Sequence, residues 1–301
     1  MGFKISQLQK ILLTGSRGFT GQHLMTMAQL RGFELIGLQS DITNLLALEK
    51  EVLKVAPNAV IHCAGISFVA SKDQEAFYRV HALGTSNLLT ALTQLPKKPK
   101  KVLLASSATV YGNAALTPTP EDYPLKPMDH YAMSKVAMEE MAKTFFDQLP
   151  IIIARPFNYT GVGQHDNFLI PKLIRHFAQK APAIELGNLL VEREFNDVAT
   201  ICEAYLALLE YGHPSETYNV GTGQVRSLAN VVDTLVKLTQ HPMKISVNPD
   251  FVRANEVRRM CGSPQKLMDL LYQHNVKLQI PSLEETLQKM LDVAGGNASP
   301  H

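Results

Sequence analysis

Residues 10–21 constrain the fold more than any other stretch. The apolar run Ile11-Leu12-Leu13 passes into Thr14-Gly15-Ser16-Arg17-Gly18-Phe19-Thr20-Gly21, and a helical pattern begins at once. A strand that ends in glycines at every third position and reopens as a helix has the form of a dinucleotide-binding βα turn. Gly15 allows the tight turn, Gly18 lets backbone approach a pyrophosphate, and Gly21 permits close helix–strand packing. The helix N-terminus then turns its unpaired N–H groups towards the phosphates. Gly15, Arg17, Gly18, Phe19 and Gly21 are therefore predicted cofactor contacts.

The pattern continues as strand–helix alternation. Short apolar runs at Ile11–Leu13, Leu35–Leu38, Ala59–Ala64, Val102–Ser106 and Ile151–Arg155 alternate with helical patterns near 20–31, 43–55, 74–95 and 130–148. Strands that are apolar throughout, rather than at every second residue, suit parallel strands buried on both faces. The chain is thus predicted to be α/β, with a Rossmann-type doubly wound parallel sheet over residues 1–156. Beyond 156 the rhythm breaks. Helical patterns near 167–180, 197–211, 227–240 and 282–293 and a short Tyr218–Val220 strand lie between Gly- and Pro-containing loops. Residues 157–193 and 223–301 are expected to form a smaller α/β substrate-binding cap, with segments near 194–222 returning to the first domain.

Composition removes several classes of function. With 46% hydrophobic and 19% charged residues the chain is an ordinary globular protein, and a net charge of +2 gives no reason to expect nucleic acid or an anionic membrane. The basic run Lys97-Lys98-Pro99-Lys100-Lys101 carries no interleaved aromatics and fits a solvated loop. Its three cysteines form no C-x-x-C, and the histidines show no ligand spacing, so no metal is predicted. Cys63 and Cys202 lie in apolar surroundings and are expected to be buried thiols, which fits a reducing compartment, and no apolar run approaches a membrane span, so a cytoplasmic location is expected.

A second motif supplies chemistry. Tyr131-Ala-Met-Ser-Lys135 places a phenol and an ammonium on one helix face. The ammonium is expected to draw the tyrosine below its reference pKa of about 10, giving a usable proton donor or acceptor for a carbinol–ketone pair. The spacing alone is weak evidence. Its value lies in following both a glycine loop and the strand that delivers Ser106-Ser107 to the carboxyl edge of the sheet. Together the three predict hydride transfer on a nicotinamide cofactor. The acidic residue that binds a ribose 2′-hydroxyl is missing after Leu38, where Gln39 and Ser40 follow. Arg17 can pair with a 2′-phosphate, so the balance leans to NADP(H), with NAD(H) possible. Asp41 and Ile42 are placed near the adenine, although Asp41 also suits an N-cap for the 43–55 helix.

These residues, with Val60-Ile61-His62-Cys63-Ala64-Gly65 and Ser107-Ala108-Thr109-Val110-Tyr111-Gly112, resemble the extended short-chain dehydrogenase/reductases over residues 10–293. That family includes nucleotide-sugar epimerases, dehydratases and reductases. The resemblance implies that Tyr131 is the general acid/base, Lys135 tunes it and holds the nicotinamide ribose, and Ser107 bonds the reacting oxygen. Ser106 is the nearest rival to Ser107. Ala64 and Gly65 would line the cofactor. Arg155-Pro156-Phe157-Asn158, Gly161-Val162-Gly163-Gln164, Arg193-Glu194-Phe195 and Arg253-Ala254-Asn255-Glu256 resemble segments that grip a nucleotide sugar, implicating Asn158, Arg193, Arg253 and Glu256.

Within the family the pattern is most similar to its reductases of GDP-4-keto-6-deoxy-D-mannose, whose product is GDP-D-rhamnose. Dehydratases carry a glutamate where this chain has Thr109, which cannot serve as that base. A 4-epimerase with retained NAD, or a non-catalytic NADP-sensing module, are the alternatives. His81 stands where relatives usually have asparagine, and is expected to be a structural substitute rather than a proton relay. The helix bearing Tyr131 also carries Met133, Ala137, Met138 and Met141, so a second burial partner, and hence a homodimer, is expected.

Overall fold

The computed structural model describes residues 10–67, 73–251 and 257–296. Ile11–Thr14 (β1) leads through the glycine turn into Phe19–Arg31 (α1), Leu35–Gly37 (β2), Leu45–Val55 (α2) and Ala59–His62 (β3). Gln74–Tyr78 (α3), a π-helical turn Arg79–Gly84 and Thr85–Thr93 (α4) form one nearly continuous helical run. Lys101–Ala105 (β4), His130–Lys143 (α5) and Ile151–Pro156 (β5) follow. The second half holds Tyr159–Thr160 (β6), Leu169–Ala178 (α6), Ala183–Leu186 (β7), Glu192–Glu194 (β8), Asn196–Asp197 (β9), Val198–Tyr211 (α7) and Thr217–Val220 (β10). Val225–Ser227 (β11), Leu228–Thr239 (α8), Lys244–Val247 (β12), Arg259–Met260 (β13), Gln265–Gln273 (α9) and Leu283–Ala294 (α10) complete it.

The main sheet has the order β10-β5-β4-β3-β1-β2, with every pair parallel. Alternation along each strand explains why its residues are apolar without interruption. Ile11, Leu13, Ala59, Ile61, Leu103, Ile152 and Ala154 pack on the face covered by α7 and α9. Leu12, Val60, Val102, Leu104, Ile151 and Ile153 pack on the opposite face, under α2 and α4. Strand order reverses between β1 and β3, and ligands of such sheets bind in the crevice at that point.

The cap has its own apolar cluster, in which Leu173, Ile174 and Phe177 of α6, Val231 and Leu235 of α8, and Leu287 of α10 meet. Among the described residues its strands make a three-stranded sheet, β11-β8-β13, and two-stranded pairs β12-β7 and β6-β9. The sequence pattern did not anticipate α9 or these short strands. Among the described residues, no helix is long and apolar enough to cross a membrane.

Candidate active site

The glycine turn and the loop after β3 flank the strand-order reversal. Gly15 has φ 72°, and a Cβ there would lie 2.8 Å from the Ala64 nitrogen. A Cβ on Gly21 would fall 2.1 Å from the Gly15 carbonyl oxygen, so α1 can pack on the turn only without a side chain at that point. Gly18 N-caps α1 with no side-chain hydrogen bond. The first N–H groups of a thirteen-residue helix thus remain clear for an anion, which fits the diphosphate of a dinucleotide. The Phe19 ring stacks on Tyr159 at 6.0 Å, and Thr20 Oγ1 lies 2.7 Å from Tyr159 Oη, so the Phe19 side chain ties the turn to β6.

At the ribose end the structure supplies a carboxylate that the sequence pattern missed. The N–H groups of Gln39 and Ser40 donate to Glu51 of α2 at 2.8 and 2.7 Å. Burial alone would raise the Glu51 carboxyl, but hydrogen bonds from Ser40 and Gln39 outweigh it and hold the group below its ordinary pKa. Those backbone donors are therefore occupied, and Arg17 on the glycine turn is exposed. Asp41 accepts from the N–H and hydroxyl of Thr43, both at 2.8 Å. It does not cap α2, because Asn44 does so by accepting from Ala47 N–H. Ile42 turns inward and is only 6% exposed, packed against Gly84, so Asp41 alone of the pair faces outward.

Ser107, Tyr131 and Lys135 converge at the carboxyl ends of β3 and β4. Ser107 N-caps the 3₁₀ turn Ala108–Tyr111, while Asp129 N-caps α5 by accepting from Ala132 N–H at 2.7 Å. The Ser107 side chain faces the Tyr131 phenol and opposes the rise in its pKa. Ser106 is committed elsewhere, donating to Glu139 at 2.5 Å. Lys135 Nζ donates to the Ala105 carbonyl at 2.9 Å, and burial lowers its pKa to about 8. Gly65 lies beneath it, since a Cβ there would come within 3.0 Å of His81 Nε2 and 3.6 Å of Lys135 Nζ.

One expectation is corrected here. Burial pushes the Tyr131 phenol above its ordinary pKa, opposed by the Ser107 side chain. The lysine ammonium does not reverse this, because it is turned onto the Ala105 carbonyl and its own charge is disfavoured. Tyr131 therefore holds its proton at neutral pH, the state required of a donor to a ketone.

His81 is fully buried in the π-helical turn. Ile66 N–H donates to its Nε2 at 3.0 Å, so the neutral ring carries its proton on Nδ1 and donates to Ser134 Oγ at 2.8 Å. Ser134 in turn donates to the Tyr131 carbonyl at 2.7 Å. Burial lowers the histidine pKa to about 2. Both ring nitrogens are engaged, as a structural element requires.

A buried network supports this centre. Glu139, one turn after Lys135, takes both Nε and Nη2 of Arg155 at 3.0 and 2.6 Å. Arg155 Nη1 donates to Tyr111 Oη at 2.8 Å, and that phenol donates to Asn219 Oδ1 at 2.7 Å. The sequence did carry a signal for it, since a charge within an otherwise apolar strand must be paired. Its partner was legible only as an acid sharing the Lys135 face of the helix.

In the cap, Asn158 is exposed, with its carbonyl accepting two bonds from Asn196 at 3.0 Å each. Arg193, expected to grip a diphosphate, instead donates to the carbonyls of Glu192 at 2.8 Å, Arg258 at 3.2 Å and Val257, joining β8 to the segment before β13. Arg253 and Glu256 lie outside the described residues. Glu194, unremarked in the sequence, is fully buried and accepts from the N–H groups of Gly262, Thr222 and Gly223 at 2.8, 2.8 and 3.1 Å.

The sequence profile of the NAD dependent epimerase/dehydratase family matches residues 11–221. The chain belongs to that family. The NAD dependent epimerase/dehydratase family match spans both the glycine turn and the segments bearing Ser107, Tyr131 and Lys135. Among similar members is GDP-6-deoxy-D-talose 4-dehydrogenase of Aggregatibacter actinomycetemcomitans, 35% identical over 267 residues, or 87% of this chain and 91% of that protein. GDP-6-deoxy-D-mannose reductase of Pseudomonas aeruginosa is 33% identical over 276 residues, covering 87% of this chain and 90% of that one. The solved structure of RMD from Pseudomonas aeruginosa complexed with NADPH superposes with a TM-score of 0.86 at 31% identity, covering 96% of this chain and 100% of that one.

Proposed function

We propose that this chain is an NADP(H)-dependent oxidoreductase that reduces the C4 ketone of a nucleotide-linked 4-keto-6-deoxy sugar, converting GDP-4-keto-6-deoxy-D-mannose to GDP-D-rhamnose. The observation that carries the reading is Tyr131, half-buried beside Ser107 at the sheet's carboxyl edge and held above its ordinary pKa by desolvation, with no carboxylate at position 109. Bound nicotinamide supplies the hydride. Ser107 holds the carbonyl oxygen, Tyr131 gives it a proton as the C4–O bond becomes single, and the ammonium of Lys135 offsets the charge left on the phenol. Residues 1–156 with the 194–222 returns bind the cofactor, while 157–193 and 223–301 hold the nucleotide sugar. Asn158, Arg193, Arg253 and Glu256 are its proposed contacts, which requires Arg193 to leave its present carbonyl partners.

A second product has support in the similarity to a GDP-6-deoxy-D-talose enzyme. 6-Deoxy-D-talose and D-rhamnose differ only at C4, where the hydroxyl is axial in the first and equatorial in the second, so hydride would arrive on the other face of the same ketone. NADPH consumption with GDP-, UDP- and dTDP-linked 4-keto-6-deoxy sugars tests the reaction. Proton NMR of the product separates the faces: a large H3–H4 coupling marks rhamnose and a small one talose. Retained NAD with no net NADPH oxidation would replace the reductase with a 4-epimerase.

The proposed homodimer uses the outer side of α5 and the adjacent π-helical turn, where Met133 is 46% and Leu83 62% exposed. Met138, expected on that side, is fully buried in the chain's own core. Light scattering at one chain's mass across micromolar concentrations would contradict the dimer.

A further inference from the structure

We propose that Thr109 fixes the direction of the Ser107 hydroxyl and makes Ser107 a donor-only group towards the ketone oxygen. The inference rests on the ketone-reduction reading above. Ser107 Oγ receives two bonds from one residue: the Thr109 N–H at 3.2 Å and the Thr109 hydroxyl at 2.9 Å. A serine hydroxyl has one hydrogen and two acceptor sites. Thr109 fills both acceptor sites, so the hydrogen is all that Ser107 has left to offer. Among the described residues, Thr109 Oγ1 has no other hydrogen-bond acceptor, which directs its own hydrogen to Ser107.

Local backbone makes the arrangement possible. Ser107 is extended, with φ −158° and ψ 146°, immediately before the 3₁₀ turn that begins at Ala108. The first turn of that helix brings position 109 back over the Ser107 side chain. Its N–H would cap the turn with any residue at 109. The hydroxyl adds nothing to that cap, and acts only on how Ser107 is polarised.

The chemistry gives this a use. A ketone oxygen presents lone pairs only, and it gains negative charge as C4 accepts hydride. A hydroxyl free to rotate can instead accept from the Tyr131 phenol, which would draw the transferable proton away from the substrate. Thr109 removes that alternative. It is a positioning residue acting through Ser107, at the position where a dehydratase would place a base against the sugar.

The test compares wild type with Thr109→Val, Thr109→Ser, Ser107→Ala and the Ser107→Ala/Thr109→Val double variant, using GDP-4-keto-6-deoxy-D-mannose and NADPH. Loss of one orienting hydrogen bond should lower kcat for Thr109→Val roughly 3- to 10-fold. KM for both substrates should stay within about twofold, and Thr109→Ser should recover most of the rate, because binding contacts and the N–H cap are retained. In the Ser107→Ala background the valine should have no further effect, since the residue it acts through is gone. Wild-type kcat in Thr109→Val, or an equal loss with and without Ser107, would overturn the proposal. A wild-type enzyme that leaves NADPH unoxidised would remove the substrate reading instead. The Tyr131 titration, taken as difference absorbance against Tyr131→Phe, then decides the Thr109 role without substrate. Thr109→Val should raise the Tyr131 pKa, and an unchanged titration would refute the assignment.

Discussion

The doubly wound half and the cap bury their polar groups in different ways. In the first, side chains bond side chains: Glu139 to Arg155, His81 to Ser134, and His62 to both Thr14 at 2.6 Å and Thr85 at 2.8 Å. Where the chain returns from the cap, Glu194 instead collects backbone N–H groups from loops separated along the chain. The difference follows from what each must hold. A helix on a wide sheet already has its backbone satisfied, so only its angle and depth need pinning. Cap loops have little ladder of their own, and their N–H groups need an acceptor once buried. Ser107, Tyr131 and Lys135 therefore sit against rigid elements, while the loops around Thr222 and Gly262 are gathered by one carboxylate.

The sharpest division between the halves should come from Tyr131→Phe. Loss of the transferable proton should lower kcat by about 10²–10⁴-fold while binding of NADPH and GDP, read by calorimetry, stays nearly intact. Activity within a factor of about three would remove Tyr131 from the role. Glu139→Ala breaks the first half from within. It strands the Arg155 guanidinium inside the core, and should cost roughly 3–5 kcal/mol in urea unfolding together with most of the activity.

Arg17→Ala tests the cofactor edge. A charge-assisted bond to a 2′-phosphate corresponds to about 10–150-fold in KM for NADPH, with little change for NADH. Equal effects on both would return Arg17 to a loop role and leave the Glu51-occupied edge to NAD(H). Glu194→Gln addresses the point where the chain returns from the cap. One acceptor oxygen becomes a donor among three N–H groups, costing about 1–3 kcal/mol, and KM for the nucleotide sugar should rise while NADPH affinity holds. An equal loss of both affinities would erase the contrast between the halves.

The smallest step per unit of change comes from pH. Burial holds His62 at about 3 and His81 at about 2, against 6.5 for the free side chain. Both are neutral in the folded chain above pH 6.5, and so is the unfolded chain, so nothing is lost there. As pH falls below 6.5 the unfolded chain takes up protons that the folded one refuses, and stability drops by about 1.4 kcal/mol per pH unit for each histidine. Replacing His81 with asparagine should halve that slope between pH 6 and 4; an unchanged slope would mean the ring is not held neutral.

Much of the architecture was legible because it depends on short-range pattern. Apolar runs such as Ile151–Ile153 need both faces covered, and the glycine spacing at 15, 18 and 21 reports a turn whose contacts the structure reproduces at Gly15 and Gly21. The Tyr131/Lys135 pair was visible through helical periodicity, and Ser107 through its place after a strand. One expectation failed for lack of local signal. Met138 faces inward although its neighbours suggested an outer surface.

By itself the sequence determined the order of strands and helices in the first half, the cofactor turn, and which hydroxyl, phenol and amine share one edge. Periodicity and glycine placement act within a few residues, and a single chain displays them directly. Tertiary structure alone decided that Glu51 occupies the N–H groups after β2, that Glu194 gathers loop N–H groups where the chain returns from the cap, and that the Tyr131 phenol is pushed above its ordinary pKa rather than below it. Each of these depends on groups brought together from distant segments, and on how much water the packed chain excludes from them. The charge state of a phenol is set by that exclusion, and no spacing along the chain records it.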